Sequence, residues 1–235
     1  MIYRVQTSSG TIEYELVRKR VKNVNLRIRA DGSVVVSCNS HVNRAFIEDF
    51  IREKQDFIIK GIKRSEQRIE KSARPVLFRD GEKVNVFGMY KTLRIVKAPK
   101  NRVMISSDEV TLELKDPEDE DLKKRVYTKW KRELLKREVL DLCDEVYPGF
   151  ASLGVKFPSR INFRTMRSRW GSCQPSTGVL CFNYNLFETP PECIRYVVIH
   201  EFSHFIEANH SPRFYNVVKS FMPGYSKWRK LLNDY

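Results

Sequence analysis

Residues 193–210 read CIRYVVIHEFSHFIEANH, and this stretch decides the fold of the C-terminal half of the chain. Apolar residues occupy nearly every position as far as Phe202, which predicts a helix buried inside a domain. The preceding residues 189–192, TPPE, have the hydroxyl, prolines and carboxylate typical of a helix start, with Thr189 as the expected cap. Polar side chains within such a helix need a physical reason.

Among the polar side chains that interrupt the apolar stretch are His200, Glu201 and His204. Histidines four residues apart on a helix project from the same face about one turn apart, so both imidazoles can reach one tetrahedral metal ion. In this HExxH pattern the glutamate stays out of the coordination sphere and acts as general base towards the attacking water. The alternative is a pair of core histidines whose nitrogens bond to the backbone.

A catalytic zinc site needs a third protein ligand and one open position. His210 follows His204 by six residues, after Asn209, which can end the helix and turn the chain back. Glu207, about one turn from His204, is an alternative ligand. Three of the four histidines of the chain fall within this segment, which strengthens the prediction of a site for one Zn2+ ion with Glu201 as the catalytic residue.

Residues 1–116 are predicted to form a β-rich unit with one helix. Short β-branched runs occur at 11–17, 24–29, 33–38, 83–87, 92–96, 103–106 and 110–114, and Asp31-Gly32 is a hairpin turn signal. Helical spacing from residue 43 to about 71 gives a predicted apolar stripe of Phe46, Phe50, Phe57, Ile58 and Ile62. No internal sequence repeat is apparent.

Residues 117–235 are predicted to form the metal-binding domain. It begins with a long helix, in which Pro117 suits the first turn. The outer surface of this helix is densely basic, comprising Lys123, Lys124, Arg125, Lys129, Lys131, Arg132, Lys136 and Arg137. A solvated face is the favoured interpretation of such a charge run, and a phosphate-binding ridge is the alternative.

The strand at 179–184 and the residues before it are candidates for substrate contact. We expect an extended polypeptide to pair with this strand through backbone hydrogen bonds. Arg169, Trp170 and Ser172 are candidate substrate contacts, although arginine and tryptophan there could equally serve the fold. Arg213 or Tyr215 could stabilise a developing oxyanion.

Bulk properties restrict the compartment and the partners. The formal net charge of +14 favours an anionic partner such as nucleic acid or a nucleotide without choosing among them. Five cysteines, an odd number without a CxxC pair, indicate a reducing compartment rather than a disulfide framework. The chain opens without a signal pattern and has no apolar run of about 18 residues, so we expect a cytoplasmic protein without a membrane partner.

Several blocks of the C-terminal half match a known family. They are SRWGSC at 168–173, FNYNL at 182–186, YVVIHEFSHF at 196–205 and NHSPRFY at 209–215, with a looser match at RKRVKNVNLRIRADGSVVVS from residue 18. The chain resembles the YgjP-like metallopeptidase domain, which is related to the SprT and WLM zincin-like proteases. This resemblance implies His200, His204 and His210 as zinc ligands and Glu201 as general base.

Together these observations predict an α+β protein: an N-terminal β-rich unit with a helix, then a C-terminal zincin-like domain with the HExxH site. The predicted function is zinc-dependent hydrolysis, foremost of polypeptides. The first alternative is a metal-dependent phosphohydrolase acting on nucleoside triphosphates, which the positive charge near the site would suit. The second is a nucleic-acid-binding protein with structural zinc, which would need a fourth protein ligand, with Cys173 or Cys193 as the candidates.

Overall fold

The computed structural model describes residues 2–29, 31–72, 76–233 and 235, with the side chains of residues 64 and 67–72 left aside. The chain divides into two compact units, Met1–Pro75 and Val76–Tyr235. Both units mix strands and helices, so the predicted α+β class is confirmed. The predicted boundary between residues 116 and 117 falls inside the second unit, because the strands at 83–114 share a hydrophobic core with the helices that follow them.

The first unit is a four-stranded sheet followed by two helices. Its strands are β1 (Ile2–Thr7), β2 (Gly10–Arg18), β3 (Asn25–Ile28) and β4 (Val34–Cys38), in the order β1-β2-β4-β3. The predicted hairpin between β3 and β4 is present: Gly32 has a φ of +83°, and the Asp31 carboxylate accepts a hydrogen bond from the Ser33 amide. β1 was not predicted, since Val5 is its only buried residue.

The predicted helix at 43–71 is two helices, α1 (Arg44–Glu53) and α2 (Gln55–Ser72). Its core residues are Ile47, Ile51 and Ile58, whereas Phe46 and Phe57 are 57% and 61% exposed. The predicted stripe is therefore wrong at Phe46 and Phe57 and correct at Ile58, which is buried, and Ile62, which packs against the core. At 100° per residue the isoleucines and phenylalanines form neighbouring apolar stripes, and the sheet covers the isoleucines.

The second unit begins with another four-stranded sheet. Its strands are β5 (Lys83–Val86), β6 (Met89–Lys97), β7 (Arg102–Ile105) and β8 (Glu109–Leu114), in the order β5-β6-β8-β7. Two antiparallel pairs flank a central parallel pair, as in the first sheet. The two sheets thus have one topology, although the sequence shows no repeat, because strand pairing constrains side-chain alternation more than residue identity.

The helices of the second unit surround one buried helix. After α3 (Glu120–Ala151) come β9 (Arg160–Arg164), β10 (Gly171–Gln174), β11 (Val179–Asn183) and a short 3-10 helix (Tyr184–Glu188), then α4 (Pro191–Ser203), α5 (Pro212–Phe221) and α6 (Tyr225–Leu232). α3, α5, α6 and β10 all contact α4. Asp119 caps α3 by accepting from the Leu122 amide, so Pro117 lies before the helix instead of in its first turn.

The third sheet has the order β10-β11-β9. β11, the predicted substrate-binding strand at 179–184, is antiparallel to β10 on one side and parallel to β9 on the other. Both of its hydrogen-bonding edges are occupied, so the prediction that a substrate pairs with this strand is wrong. β10 is the edge strand that borders the metal-binding residues described below.

Some of the basic side chains of α3 make ion pairs or ring contacts within the protein. Lys123 is buried and pairs with Glu120, Lys131 pairs with Glu188, and Lys129 lies 3.9 Å from Glu133. The Arg132 guanidinium lies 4.9 Å from the Tyr184 ring centroid. The remaining basic side chains, Lys124, Arg125, Lys136 and Arg137, are exposed. Within the described residues, no helix has the length and apolar character needed to cross a membrane.

Phe150, near the end of α3, joins this helix to α4 and α5. It is fully buried, and its ring stacks on Phe221 at 3.9 Å and packs on Phe202 at 5.2 Å between centroids. We expect Phe150→Ala to lower the free energy of unfolding by about 3–5 kcal/mol, because it removes a large side chain from a packed core. Chemical denaturation measures this change. The control is Leu153→Ala at a 56% exposed position, and an equal loss there would contradict the prediction.

Candidate metal centre and active-site cleft

α4 brings His200 and Glu201 into the interior of the second unit. Pro191 occupies the first turn, and no side chain caps the helix. Thr189 was predicted as the cap, but its buried hydroxyl donates to the Leu186 carbonyl at 2.8 Å and so closes the preceding 3-10 helix. Pro190 and Pro191 have no N–H groups, so the start of α4 has few free amides that a capping side chain could bind.

α4 ends at Ser203, earlier than the predicted end near Asn209. The Ser203 hydroxyl donates to the Ile199 carbonyl at 2.7 Å, and the Ser203 carbonyl accepts from both Ile206 and Glu207 amides in a tightened last turn. His204, the residue after the helix, retains helical angles of −68° and −17°. Its imidazole consequently keeps the same-face relation to His200 that the spacing predicted.

The three predicted ligands lie together. One nitrogen from each of His200, His204 and His210 falls within 4.8 Å of the others, and the Nε2 atoms of His200 and His210 are 2.9 Å apart. Phe214, fully buried on α5, underlies the cluster with its ring centroid 4.8, 4.5 and 4.8 Å from the three imidazoles in chain order. Sequence reasoning missed Phe214, although it lies in the NHSPRFY block.

Two imidazoles are oriented through their other nitrogen. His200 Nδ1 is 3.3 Å from the Tyr196 hydroxyl, and His204 Nδ1 is 3.2 Å from the Glu207 carbonyl oxygen. Glu207, the alternative ligand, thus contributes a backbone acceptor, and its carboxylate is outside the metal-ligand cluster found among the described residues. Hydrogen bonding at Nδ1 leaves Nε2 as the ligand atom, as in most histidine metal sites.

This donor set fits zinc. Ligand nitrogens about 2.0–2.1 Å from a tetrahedral zinc ion lie about 3.3 Å apart, close to the separation between His200 and His210. Burial lowers the pKa of His200 to about 3, with further lowering by the other two histidines and Arg229, and burial also lowers the pKa of His204. Both imidazoles are therefore neutral at pH 7, the form that coordinates a metal.

Glu201 lies beside the histidines and is only 4% exposed. Burial raises the pKa of its carboxyl group to about 8, while the charge of Arg169 opposes the rise. Gly171 of β10 confines this carboxyl group, since a Cβ atom at Gly171 would lie 2.5 Å from Glu201 Oε1 and 2.8 Å from its Cδ. A carboxyl group whose pKa lies close to physiological pH is suited to transferring protons at that pH.

A cleft of about 530 Å3 opens over this cluster. Arg169, Trp170 and Ser172 line it, as do the three histidines and Glu201. Arg213 does not line it, and Tyr215 lies behind the lining, stacked on His210 with centroids 6.2 Å apart. Sequence reasoning missed Arg229, which lines the cleft from α6 with its guanidinium carbon 4.7 Å from the Tyr215 ring centroid.

Asn183 holds the segment that leads into the cleft. Its side-chain amide donates to the Met166 and Arg169 carbonyls at 2.8 and 2.7 Å, and its oxygen accepts from the Met166 and Asn185 amides. All four hydrogen bonds are made by the Asn183 side chain, which is buried at 3% exposure. Asn183 thereby positions Arg169 and Trp170 at the cleft, a role for which the FNYNL block was the only sequence signal.

We expect Tyr196→Phe to weaken zinc binding by about tenfold, because loss of the hydroxyl frees the Nδ1 atom of His200 and with it the orientation of the imidazole. Competition with a chromogenic chelator measures the affinity. Tyr225→Phe is the control, since the Tyr225 ring stacks on Tyr196 without bonding to a histidine in the described structure. Unchanged affinity in Tyr196→Phe would contradict a positioning role.

The crystal structures of the metallopeptidase zymogens of Pyrococcus abyssi abylysin and Methanocaldococcus jannaschii jannalysin each show 19% identity and align with 40% of this chain. The alignments cover 90% and 92% of those chains, with TM-scores of 0.36 and 0.35. No curated protein matches the chain.

The model of one family, described as the YgjP-like metallopeptidase domain, matches residues 22–235. This range contains the N-terminal hairpin, the edge strand β10, Glu201 and all three clustered histidines. The match confirms the resemblance found in the sequence. The chain therefore belongs to the YgjP-like metallopeptidase domain family.

Proposed function

We propose that this protein is a zinc-dependent hydrolase that cleaves peptide bonds. The observation that carries the proposal is the cluster of three imidazoles with the buried Glu201 carboxyl group beside it in one open cleft. The described residues add no fourth His, Cys, Asp or Glu to the cluster, as a catalytic site with an open position requires. Membership of a metallopeptidase domain family supports the same reaction class.

Each residue has a defined role in this proposal. His200, His204 and His210 would hold one zinc ion, which when bound supplies Lewis acidity and lowers the pKa of water. Glu201 accepts the proton of the attacking water and returns it to the leaving amine, a sequence for which a pKa close to the working pH is suited. Tyr196 and the Glu207 carbonyl keep the imidazoles oriented.

A polypeptide substrate would pair with the edge strand β10. The Asn183 amide donates to the Trp170 carbonyl, so these residues form a hydrogen-bonded pair in the antiparallel ladder with β11. The ladder alternates, and the backbone groups of Gly171 and Cys173 consequently point away from β11. They offer an extended peptide the hydrogen bonds of an added strand, beside Glu201.

A second candidate function is hydrolysis of nucleoside triphosphates. Arg169 and Arg229, which line the cleft, are the observation that favours it, because guanidinium groups bind phosphate oxygens well. The structural-zinc alternative has less support. Burial raises the pKa of Cys173 to about 12 and of Cys193 to about 11, which disfavours the thiolate form needed for coordination.

Because α3 has exposed lysines and arginines, we propose nucleic acid as a partner of the hydrolase. This proposal predicts binding that weakens steeply with added salt, because the contacts would be to phosphates. A cytoplasmic location stays a prediction from the cysteine content.

Glu201→Gln is expected to lower the rate of hydrolysis by about 10^2- to 10^4-fold while zinc stays bound, because the amide cannot accept the proton of water. The measurement compares zinc-loaded wild type and variant on an unfolded protein and on a panel of nucleoside triphosphates, with and without DNA. Cleavage of triphosphates alone would replace the peptidase proposal with the second candidate. Equal activity of both proteins would remove Glu201 from the mechanism.

Gly171→Ala is expected to lower kcat by about 10^2-fold or more, because the new methyl group would overlap the Glu201 carboxyl group and so displace the general base. Zinc stoichiometry and the circular dichroism spectrum should stay unchanged. Gly224→Ala is the matched control, since a Cβ atom at Gly224 meets nothing within 4 Å. Wild-type kcat in Gly171→Ala would show that the contact with Glu201 does not matter.

A further inference from the structure

Positively charged side chains outnumber negatively charged ones among the residues that line the cleft. Arg169 and Arg229 are the two cations, and Glu201 is the one carboxylate among the lining residues that the structure describes. A bound zinc ion would add further positive charge. The cleft is therefore a cationic site in which the sole carboxylate is reserved for proton transfer.

Arg229 stacks on an aromatic ring, and no ion pair to it occurs among the described residues. Its guanidinium carbon lies 4.7 Å from the Tyr215 ring centroid, and Tyr215 stacks in turn on Tyr225 at 5.7 Å and on His210 at 6.2 Å. A guanidinium group stacked on a ring keeps its in-plane N–H donors available. Stacking also limits the conformations that the side chain must lose on binding a ligand.

Arg169 approaches the cleft from the opposite chain segment. Asn183 binds its carbonyl at 2.7 Å, so the backbone at the entry to β10 is anchored. The charge of Arg169 acts on Glu201, whereas that of Arg229 acts on His200 and Tyr196. Both guanidinium groups thus line the cleft that holds the histidine cluster, Arg169 acting on Glu201 and Arg229 on His200.

Neither arginine has an ion-pair partner among the residues that the structure describes. In the same unit, Arg94, Arg102 and Arg195 each pair with a carboxylate. Single unpaired arginines are common on a basic protein and carry no inference. Arg169, two residues before β10, and Arg229 of α6 line one cavity together with the three clustered histidines, so two guanidinium groups are available there to an anionic ligand.

We propose that Arg169 and Arg229 bind an anionic group of the substrate, a carboxylate or a phosphate, next to the bond that is hydrolysed. This inference rests on the proposed hydrolase function and narrows its substrate class to molecules with such a group. Arg229 binds the group on the His200 side and Arg169 on the Glu201 side. Each guanidinium offers two parallel N–H donors to the oxygens of the anion.

The test measures binding in zinc-loaded Glu201→Gln protein, so that hydrolysis does not interfere. The probes are two fluorescein-labelled unstructured peptides of equal length, one rich in glutamate and the other with glutamine at every glutamate position. Fluorescence anisotropy is expected to show at least about tenfold tighter binding of the glutamate peptide, because a charged hydrogen bond contributes more than a neutral one. Inorganic triphosphate serves as competitor.

Arg229→Gln and Arg169→Gln, each added to the Glu201→Gln background, are expected to remove most of this preference. Arg137→Gln is the matched control, because it removes the same charge from the exposed surface of α3. Circular dichroism and zinc stoichiometry check that all three variants are folded and loaded. Arg229→Lys, which retains charge but loses the paired donors, should retain part of the preference.

Equal binding of the two peptides together with no competition by triphosphate would overturn the inference. Equal weakening by all three arginine variants would overturn it too, since that result indicates the overall positive field. Displacement by triphosphate that depends on the two cleft arginines identifies phosphate as the anion, and selectivity between the peptides identifies carboxylate.

The same proteins and peptides distinguish a failure of the anion site from a failure of the proposed hydrolase function. If wild type cleaves acidic and neutral peptides with equal KM and triphosphate does not compete, the hydrolase stands and the anion site does not. If wild type cleaves neither peptide nor triphosphate while the binding preference persists, the anion site stands and the proposed reaction fails.

Discussion

Burial of α4 is the constraint on which the rest of the second unit depends. The helix is surrounded by α3, α5, α6 and β10, and it takes Glu201 out of water and half-buries His200. Buried polar groups are costly unless they have partners, and the Tyr196 hydroxyl bonds to His200 and the Glu207 carbonyl to His204, while Gly171 leaves space for the Glu201 carboxyl group. Desolvation also moves both pKa values in the directions that metal binding and proton transfer need.

The cleft is assembled from segments that are distant in the chain. Phe214 of α5 supports the three imidazoles from below, Asn183 of β11 anchors the approach to β10, and α6 contributes Arg229. Each contact acts through packing or hydrogen bonds on a residue that faces the cavity. Supporting residues of this kind determine how accurately a site is held, because ligand orientation depends on the second layer of contacts as much as on the ligands.

The two sheets at 2–38 and 83–114 have one topology built from different residues. Their helices differ in length and number, and only the second sheet shares its core with the metal-binding helices. A shared arrangement of two hairpins around a parallel central pair satisfies backbone hydrogen bonding in both cases while leaving side chains free to vary. The core that the second sheet shares with the helices after it explains why the unit boundary lies after residue 75, although the strand content suggested residue 116.

The sequence by itself determined the features that depend on local spacing. The hairpin at Asp31-Gly32, most strand positions, the long basic helix and the pairing of His200 with His204 all follow from short-range geometry and were predicted correctly. Tertiary structure decided the rest. It chose the isoleucine stripe of α1 and α2 over the phenylalanine stripe, placed β11 between two strands so that β10 became the open edge, and brought Arg229 beside the histidines. The physical reason is that burial, strand order and convergence of distant residues depend on which surfaces meet, and periodicity within one segment holds no information about its partner.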